Sequence, residues 1–421
     1  MNDLRSKAEN QIEEKIYSVI SLIELNIKKY GIERYDPRDI RWFKYFQSNS
    51  KHVKIIRKFF VLMERICPIG LRKILKIKKQ IWPTSLSFLG NSLLISEKYF
   101  KGILFDSISS KIIVDIIKKK YIKNEDYSLW WGSEKQNCIP EANIITNKRP
   151  KISMHELVRI LLFLKDYSDF YLDSFVLNVV NISTIEILNY NQIVYRSDDN
   201  VGISYYYNTF DCTLNIQSEY AELLSYLTYN LHNQLSLTIF HSIIELLCSE
   251  QYEDGHWNYY SKWHEKKYNK KHVCDAHHSA TIISNLCNIS KSCLIDSKEK
   301  EKILNACTKG IIFLVNEFYK NPNRGITAIG KYRPSGPVQY SETIIALCKY
   351  LTIVDNNEIS KELYNKLVLL VNRNIAFINK KGEAPSEKII FPLNLNSIRW
   401  GNGPVLNSIL EYLKLIKYEN K

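Results

Sequence analysis

Apolar residues recur along this chain at the three-to-four-residue spacing of helices, and seldom alternate as strands require. Residues 8–30 show this plainly. Ile12, Ile16, Val19, Ile20, Ile23 and Ile27 fall on one stripe of an amphipathic helix. The same spacing predicts helices over 52–66, 69–79, 84–97, 107–121, 154–167 and 169–182. It predicts more over 214–231, 235–250, 277–290, 297–318, 338–354, 358–379 and 403–417. Only 186–195 and 202–207 read as strands. Helices joined by turn-rich segments, without β-α-β alternation, predict an all-α fold.

No Pro/Gly/Ser linker divides the chain. Residues 132–152, with Pro140 and Pro150, read as a long loop inside one domain. The expectation is a single domain over 1–421, with 1–100 as an N-terminal helical portion. The last two-thirds repeat a rhythm of apolar helix, aromatic loop, apolar helix. The loops are 252–275, 321–339 and 379–402, and they are rich in Trp, Tyr, His, Asp and Arg. Long loops of that composition in a helical domain read as functional.

The net charge of +14, from 58 Lys+Arg against 44 Asp+Glu, admits nucleic acid or an anionic membrane as partner. Basic clusters such as 71–79 alternate with apolar residues, however. A solvated helix face therefore accounts for them, and no nucleic-acid partner is expected. No apolar run approaches the ~18–20 residues of a membrane span. The polar start, 1–14, does not read as a secretory signal. The nine cysteines are odd in number and form no C-x-x-C pair, which reads as reduced, buried thiols in a cytoplasmic protein.

Five stretches carry candidate chemistry. Gln251-Tyr252-Glu253-Asp254-Gly255-His256-Trp257-Asn258-Tyr259 follows an apolar helix, where Gly255 permits a left-handed turn and Trp257 stacks beneath it. This resembles the Q-x-x-D-G-x-W element of prenyltransferases and squalene cyclases, where it is chiefly structural. Asp275-Ala276-His277-His278 opens the next helix. Asp275 is either an N-cap or, with His278, an acid/base pair. Gln339-Tyr340-Ser341-Glu342 opens another helix, with Glu342 either complementing its dipole or lining a pocket. Arg399-Trp400-Gly401-Asn402 precedes the last helix, with Arg399 able to hold an anionic group and Trp400 to stack on a sugar or the core. Tyr205-Tyr206-Tyr207, with Asn215 and Glu219 behind it, is a weaker fifth.

Each stretch lies at an entry from loop to helix. In a ring of helical hairpins the entries of the inner helices face one end, so the five would converge on one mouth. Its polar floor and aromatic walls suit a carbohydrate. The expected catalytic residues are Asp275, His278 and Glu342. The expected substrate contacts are Tyr206, Asp254, Trp257, Tyr259, Gln339, Tyr340, Arg399, Trp400 and Asn402. His256, His264, His272, His277 and His278 match no standard zinc spacing. No metal or other cofactor is expected.

Taken together, the motifs resemble a family of uncharacterised proteins encoded among genes for surface polysaccharides, related to six-hairpin glycosidases and squalene-cyclase toroids. Tyr35-Asp36-Pro37-Arg38-Asp39 is similar to its G-Y-D-P-Y-D segment, and Arg72-Lys73-Ile74-Leu75 after Pro68 to its P-x-N-L-R element. Asp275-Ala276-His277-His278-Ser279 falls at its D-N-F-H-T, after a Q-x-x-D-G-S-W-x-Y match at 251–259. Arg399-Trp400-Gly401-Asn402 falls at its R-W-G-x-A-W. Ala276 and His277 replace Asn and Phe, Pro404 stands near an expected aromatic, and of Phe-Asp-Trp only Trp130-Trp131-Gly132 remains. The resemblance implies an (α/α)6-type toroid in a polysaccharide context.

Three functions follow. The first is a carbohydrate-active enzyme of capsule, O-antigen or exopolysaccharide assembly, lyase-, epimerase- or hydrolase-like, acting on a nucleotide sugar or oligosaccharide beside glycosyltransferases. The second is a non-catalytic scaffold binding sugars or partners. The third is terpene cyclisation or prenyl transfer, but Ser197-Asp198-Asp199-Asn200 lacks the D-x-D-D proton donor and no zinc triad can be assembled.

Overall fold

The computed structural model describes residues 2–37, 39–40, 50–122, 154–190, 193–196, 201–205, 211–231, 234–354, 357–386, 393 and 395–419. Tyr206, the 130–132 remnant, the 132–152 loop and 197–200 lie outside the described residues.

The first helices are α1 (Asn2–Tyr30), α2 (Lys51–Ile66), α3 (Pro68–Ile74), α4 (Pro83–Phe100), α5 (Ser110–Tyr121), α6 (Met154–Tyr171) and α7 (Ser174–Tyr190). Next come α8 (Leu214–Leu231), α9 (Gln234–Glu250), α10 (Lys262–Tyr268), α11 (Ala276–Ile289) and α12 (Ser297–Phe313). The last are α13 (Pro337–Leu351), α14 (Glu358–Ile375) and α15 (Gly403–Lys414). Helix α4 packs on α6, α6 on α8, α8 on α11, α11 on α13, α13 on α15, and α15 again on α4. That sequence of contacts is a closed ring. Outside it, α5, α7, α9, α12 and α14 back α4, α6, α8, α11 and α13. The sixth outer helix is α1, which packs on α14 and α15. The two ends of the chain therefore make the last hairpin, and the fold is an (α/α)6 toroid.

The residue pattern explains which helices go inside. The outer α1 buries one apolar stripe, Ile12, Ile16, Ile20, Ile23 and Ile27, and turns Asn10, Gln11, Glu14, Lys15 and Ser18 to solvent. The inner helices are buried nearly all round, and small residues let them approach. Gly90 of α4 is one such position, because a Cβ there would lie 2.5 Å from the Phe163 ring of α6. Entry into the inner helices is set by Pro83 and Pro337 at the first helical turn and by Asp275 as an N-cap.

Several expectations are corrected. The stretch at 186–195 is not one strand: α7 runs to Tyr190, and only β1 (Ile193–Arg196) is extended, paired with β2 (Val201–Ile203). The loop at 252–275 contains α10. The loop at 321–339 contains a hairpin of β3 (Ile326–Ala328) and β4 (Lys331–Pro334). The helices expected over 297–318 and 403–417 loosen into wider π turns at 314–318 and 415–419. The cysteines described are all free, and Cys67 and Cys293 are exposed, not buried.

The Gln251–Trp257 stretch ties hairpins together. Gln251 Nε2 donates to the carbonyls of Gly255 and Ala306, each at 2.9 Å. Gly255 has φ +98° and sits against the Lys309 backbone, where a Cβ would meet the carbonyl oxygen at 2.4 Å. Trp257 is fully buried against Gly310 and Ile283, and its indole N–H donates to the Leu247 carbonyl at 2.8 Å. One side chain thus joins α9, α11 and α12. Trp257→Ala should cost about 3–5 kcal/mol through the cavity it leaves. Chemical denaturation of the purified variant checks this, and a midpoint equal to that of the parent chain would refute the structural role.

Candidate functional site at the mouth of the ring

The inner helices all present their first turns to the same end of the ring. Phe88, Arg159, Glu219, Thr281 and Glu342 are each the sixth residue of their helix, α4, α6, α8, α11 and α13. They meet in one layer. Arg159 Nε donates to Glu219 Oε1 at 2.7 Å and its Nη1 to Glu342 Oε1 at 2.8 Å. Nη2 approaches the Thr281 hydroxyl at 3.4 Å, and the guanidinium lies over the Phe88 ring at 5.2 Å. Since α6 and α13 stand on opposite sides of the ring, the Arg159–Glu342 bond crosses its axis. Glu219 also takes His155 Nδ1 at 3.0 Å.

Burial works against the charges of Glu219 and Arg159, and the neighbours reverse it. Glu219 is fully buried, which alone would raise its carboxyl, yet His155 and Arg159 hold it below the usual range. Burial alone would lower the Arg159 guanidinium. Glu342 and Glu219 raise it instead.

One turn nearer the opening sits a dyad. Asp275 Oδ1 accepts the backbone N–H of His278 at 3.0 Å, and Oδ2 is 2.6 Å from His278 Nδ1. Burial pushes the Asp275 carboxyl up, but His278 and the helix N–H groups pull it below its ordinary value. An ionised Asp275 holds the shared hydrogen on Nδ1. In the neutral imidazole Nε2 then carries the lone pair, and no hydrogen-bond partner is within reach of it among the described residues. The imidazole is partly exposed, with the Tyr259 ring edge-on at 4.5 Å. His278 precedes Thr281 by three residues on α11, so it faces the same side one turn above the Arg159 layer.

A second cluster adjoins through α6. Arg399 Nη2 pairs with Glu156 at 3.0 Å and Nη1 with Asp36 at 3.4 Å. Asp36 also accepts the Trp400 indole N–H at 3.0 Å. The Arg399 guanidinium lies over both Trp82 and Trp400, at 4.9 and 5.2 Å. Behind it, Arg72 is fully buried, donates to the Asp36 carbonyl at 2.8 Å and pairs with Asp39 and Glu64.

Of the residues singled out in the sequence, Asp275, His278, Glu342, Arg399 and Trp400 are carried by inner-helix entries, and Tyr259 reaches His278 from the α9–α10 loop. Gln339 sits at such an entry too, where its Oε1 caps the Gly336 N–H at 2.9 Å. Four others lie elsewhere. Trp257 is core. Asp254 is exposed on the outer rim and bonds His256. Tyr340 is buried, its hydroxyl bound to Pro322 and Gly325. Asn402 is buried, its amide spent on Gly382 and Ala384. Two of the remaining candidate histidines pair with separate carboxylates, His264 with Asp211 and His272 with Glu265, and His277 stacks edge-on against His278. Among the described residues no cluster of His, Cys, Asp and Glu is arranged to hold a metal. The sequence reading passed over Arg159, His155, Glu156 and Thr281. A signal was present: His155, Glu156 and Arg159 are the polar residues on one face of an otherwise apolar run, 154–164.

The sequence matches no family model and no curated protein. Similarity appears in solved structures. A sugar epimerase from a ruminal bacterium aligns with a TM-score of 0.60 at 11% identity, over 81% of this chain and 89% of that one. Cellobiose 2-epimerase from Bacillus thermoamylovorans aligns with a TM-score of 0.56 at 9% identity, over 79% and 88%. The Lin0763 protein from Listeria innocua aligns with a TM-score of 0.55 at 10% identity, over 96% and 99%. At these identities the likeness is one of fold.

Arg159→Met should strip Glu342 of its ion-pair partner, leave Glu219 with His155 alone, and cost about 3–5 kcal/mol at neutral pH. The sign with pH follows from Glu219. Its folded pKa is depressed, so its stabilisation is present above the ordinary glutamate value of 4.5 and fades as pH falls through the folded value. The deficit of the variant should therefore narrow on acidification below about 4.5. Urea unfolding of both chains across that range checks it, and a deficit independent of pH would refute it.

Proposed function

We propose that this chain is a carbohydrate-active enzyme that moves a proton on a sugar held in the mouth of the toroid, with His278 as the acid/base group. The observation that carries the reading is the Asp275–His278 dyad. A buried, ionised carboxylate fixes Nδ1–H and leaves Nε2 open at the end where the helix entries converge. Nε2 accepts a proton from a sugar C–H or O–H, and Asp275 stabilises the imidazolium that forms. Return of the proton to the opposite face of the same carbon inverts that centre and completes an epimerase cycle; in a lyase the C–O bond breaks instead and the proton passes to the departing oxygen. Tyr259 and Trp400 supply aromatic surface for a sugar ring, and the amide of Gln339 supplies a polar contact.

The carboxylates favour proton transfer over hydrolysis. A glycosidase needs two carboxyl groups free to act on either side of the bond. Here Glu219 and Glu342 are bound to Arg159, and Asp275 to His278. An epimerase- or lyase-like reaction fits that economy better. The neighbours described as a sugar epimerase, a cellobiose 2-epimerase and a polysaccharide lyase support the same class.

Charge narrows the substrate. Arg159 carries Glu219 and Glu342, and Arg399 carries Asp36 and Glu156. Neither fork is spare for a ligand anion, which revises the anion-orienting role expected of Arg399. With Asp275 the site holds more carboxylates than cations, so an uncharged sugar enters at lower electrostatic cost than a uronate, which favours the epimerase-like reaction over a lyase-like one that draws its C–H acidity from a uronate carboxyl. The charged layer also disfavours an isoprenoid tail. Assembly of capsule, O-antigen or exopolysaccharide in the cytoplasm, beside glycosyltransferases, is the setting we propose.

The test separates enzyme from scaffold. Asp275→Asn keeps the cap, because Asn caps as well as Asp. Turnover on a panel of neutral and uronate oligosaccharides and nucleotide sugars should fall about 10²- to 10⁴-fold in Asp275→Asn and His278→Gln. Circular dichroism should stay unchanged. Hydrogen exchange from deuterated solvent into the sugar, followed by NMR, reads the proton transfer directly. Undiminished exchange in His278→Gln would overturn the assignment. Sugar binding without exchange in the parent chain would establish the scaffold instead.

A further inference from the structure

Helices α2 and α3 stand outside the ring, and α2 has two different apolar faces. One face packs inward: Val53, Phe60 and Met63 meet Ile40, Leu71, Leu75 and Ile77 in a small separate core. The other faces solvent. Ile55, Phe59, Leu62 and Ile66 are 66%, 57%, 63% and 74% exposed, and their spacing of four, three and four residues makes one continuous stripe. Ile69 and Ile74 of α3 continue it at 48% and 77%. A row of large side chains left in water over about 17 Å of helix is the kind of patch that marks a contact surface.

The charges around the stripe say what covers it. Lys51, Lys54, Lys58 and Arg65 repeat at helical spacing along one flank of the stripe. Lys73, Lys76, Lys78 and Lys79 follow on and beyond α3, all exposed. Glu64 is the acidic residue of 51–79, and it is buried against Arg72. The exposed charge of this edge is therefore uniformly positive.

We infer that the α2–α3 edge docks on the surface of an anionic lipid bilayer, lying in the interface with Ile55, Phe59, Leu62 and Ile66 buried among acyl chains and the lysines at the headgroups. An apolar stripe flanked by lysines is the pattern of an interfacial helix. The lysines draw it to anionic headgroups, and they snorkel while the stripe inserts. Nucleic acid would use the charge but leave the stripe in water. A second copy would bring like charges together. No helix among the described residues is long and apolar enough to cross a membrane, so the edge lies on the bilayer without spanning it. This inference is independent of the chemistry proposed for the mouth.

The full chain is sedimented with vesicles of phosphatidylcholine alone and with vesicles enriched in phosphatidylglycerol. The expected result is binding to the anionic vesicles at least about tenfold tighter, weakening as salt is raised. Phe59→Ser with Leu62→Ser, at exposed positions, should keep the thermal melt and lose at least about tenfold in binding. Lys54→Glu with Lys58→Glu should lose the preference for anionic lipid. Absence of binding to anionic vesicles would overturn the inference. So would a serine variant that binds as well as the parent, since the stripe would then take no part. Retention of duplex DNA in preference to vesicles would assign the edge to nucleic acid. A parent chain that is dimeric by light scattering, and a serine variant that is monomeric, would assign it to a second copy.

Discussion

A guanidinium held on the axis of a helical ring has to find its counter-charges inside that ring. Arg159 finds them on α8 and α13, and its remaining N–H faces α11. Leaving a buried charge without its partner costs several kcal/mol, so this arrangement restricts the relative register of the helices that supply it. That register is visible in the positions. The residues of the layer are the sixth of their helices, so the inner helices begin at one level and open their first turns on one end. The mouth, its dyad and its arginines are where they are because the layer beneath them admits little sliding.

The same accounting governs the second cluster and joins motifs far apart in the chain. Asp36 lies in the Tyr35–Asp39 segment, Arg72 in the Arg72–Leu75 segment, and Arg399 and Trp400 in the segment near the end. They converge on Asp36, whose carboxylate takes Trp400 and Arg399 and whose carbonyl takes Arg72. Burial would lower the Arg399 guanidinium, yet Glu156 and Asp36 raise it, so the cation is firmly held. A group so held serves as a wall with a stacking face. It is not a free hand for a ligand.

The helices were legible because their signal is periodic and local. A stripe such as Ile12 to Ile27 needs no tertiary information, and neither does the pairing of Asp275 with a histidine three residues on. The strand expected from 186 misled because Ile187, the β-branched residue of 186–190, is buried on the last turns of α7, where packing outweighs local preference. Among the polar candidates the difficulty was direction. Tyr340 and Asn402 have the composition of ligand contacts, but their hydroxyl and amide serve buried backbone groups of their own loops. Arg159 was hidden for the opposite reason. A single charge in an apolar helix looks like a surface interruption until the carboxylates that neutralise it, 60 and 183 residues away, are brought beside it.

The mouth and the outlying α2–α3 pair are not mechanically separate. Arg72 projects from α3 into the chain of contacts that ends at Arg399 and Trp400, and it does so fully buried, with Asp39 and Glu64 completing its shell. Moving α3 away from the ring would strip that shell from a guanidinium and leave carboxylates uncompensated, at a cost comparable with a large part of a domain's net stability. The pair is therefore tied to the ring as a fixed bracket. Whatever surface receives its exposed stripe also sets the direction in which the mouth points, because the connection runs through a buried ionic cluster with little freedom to bend.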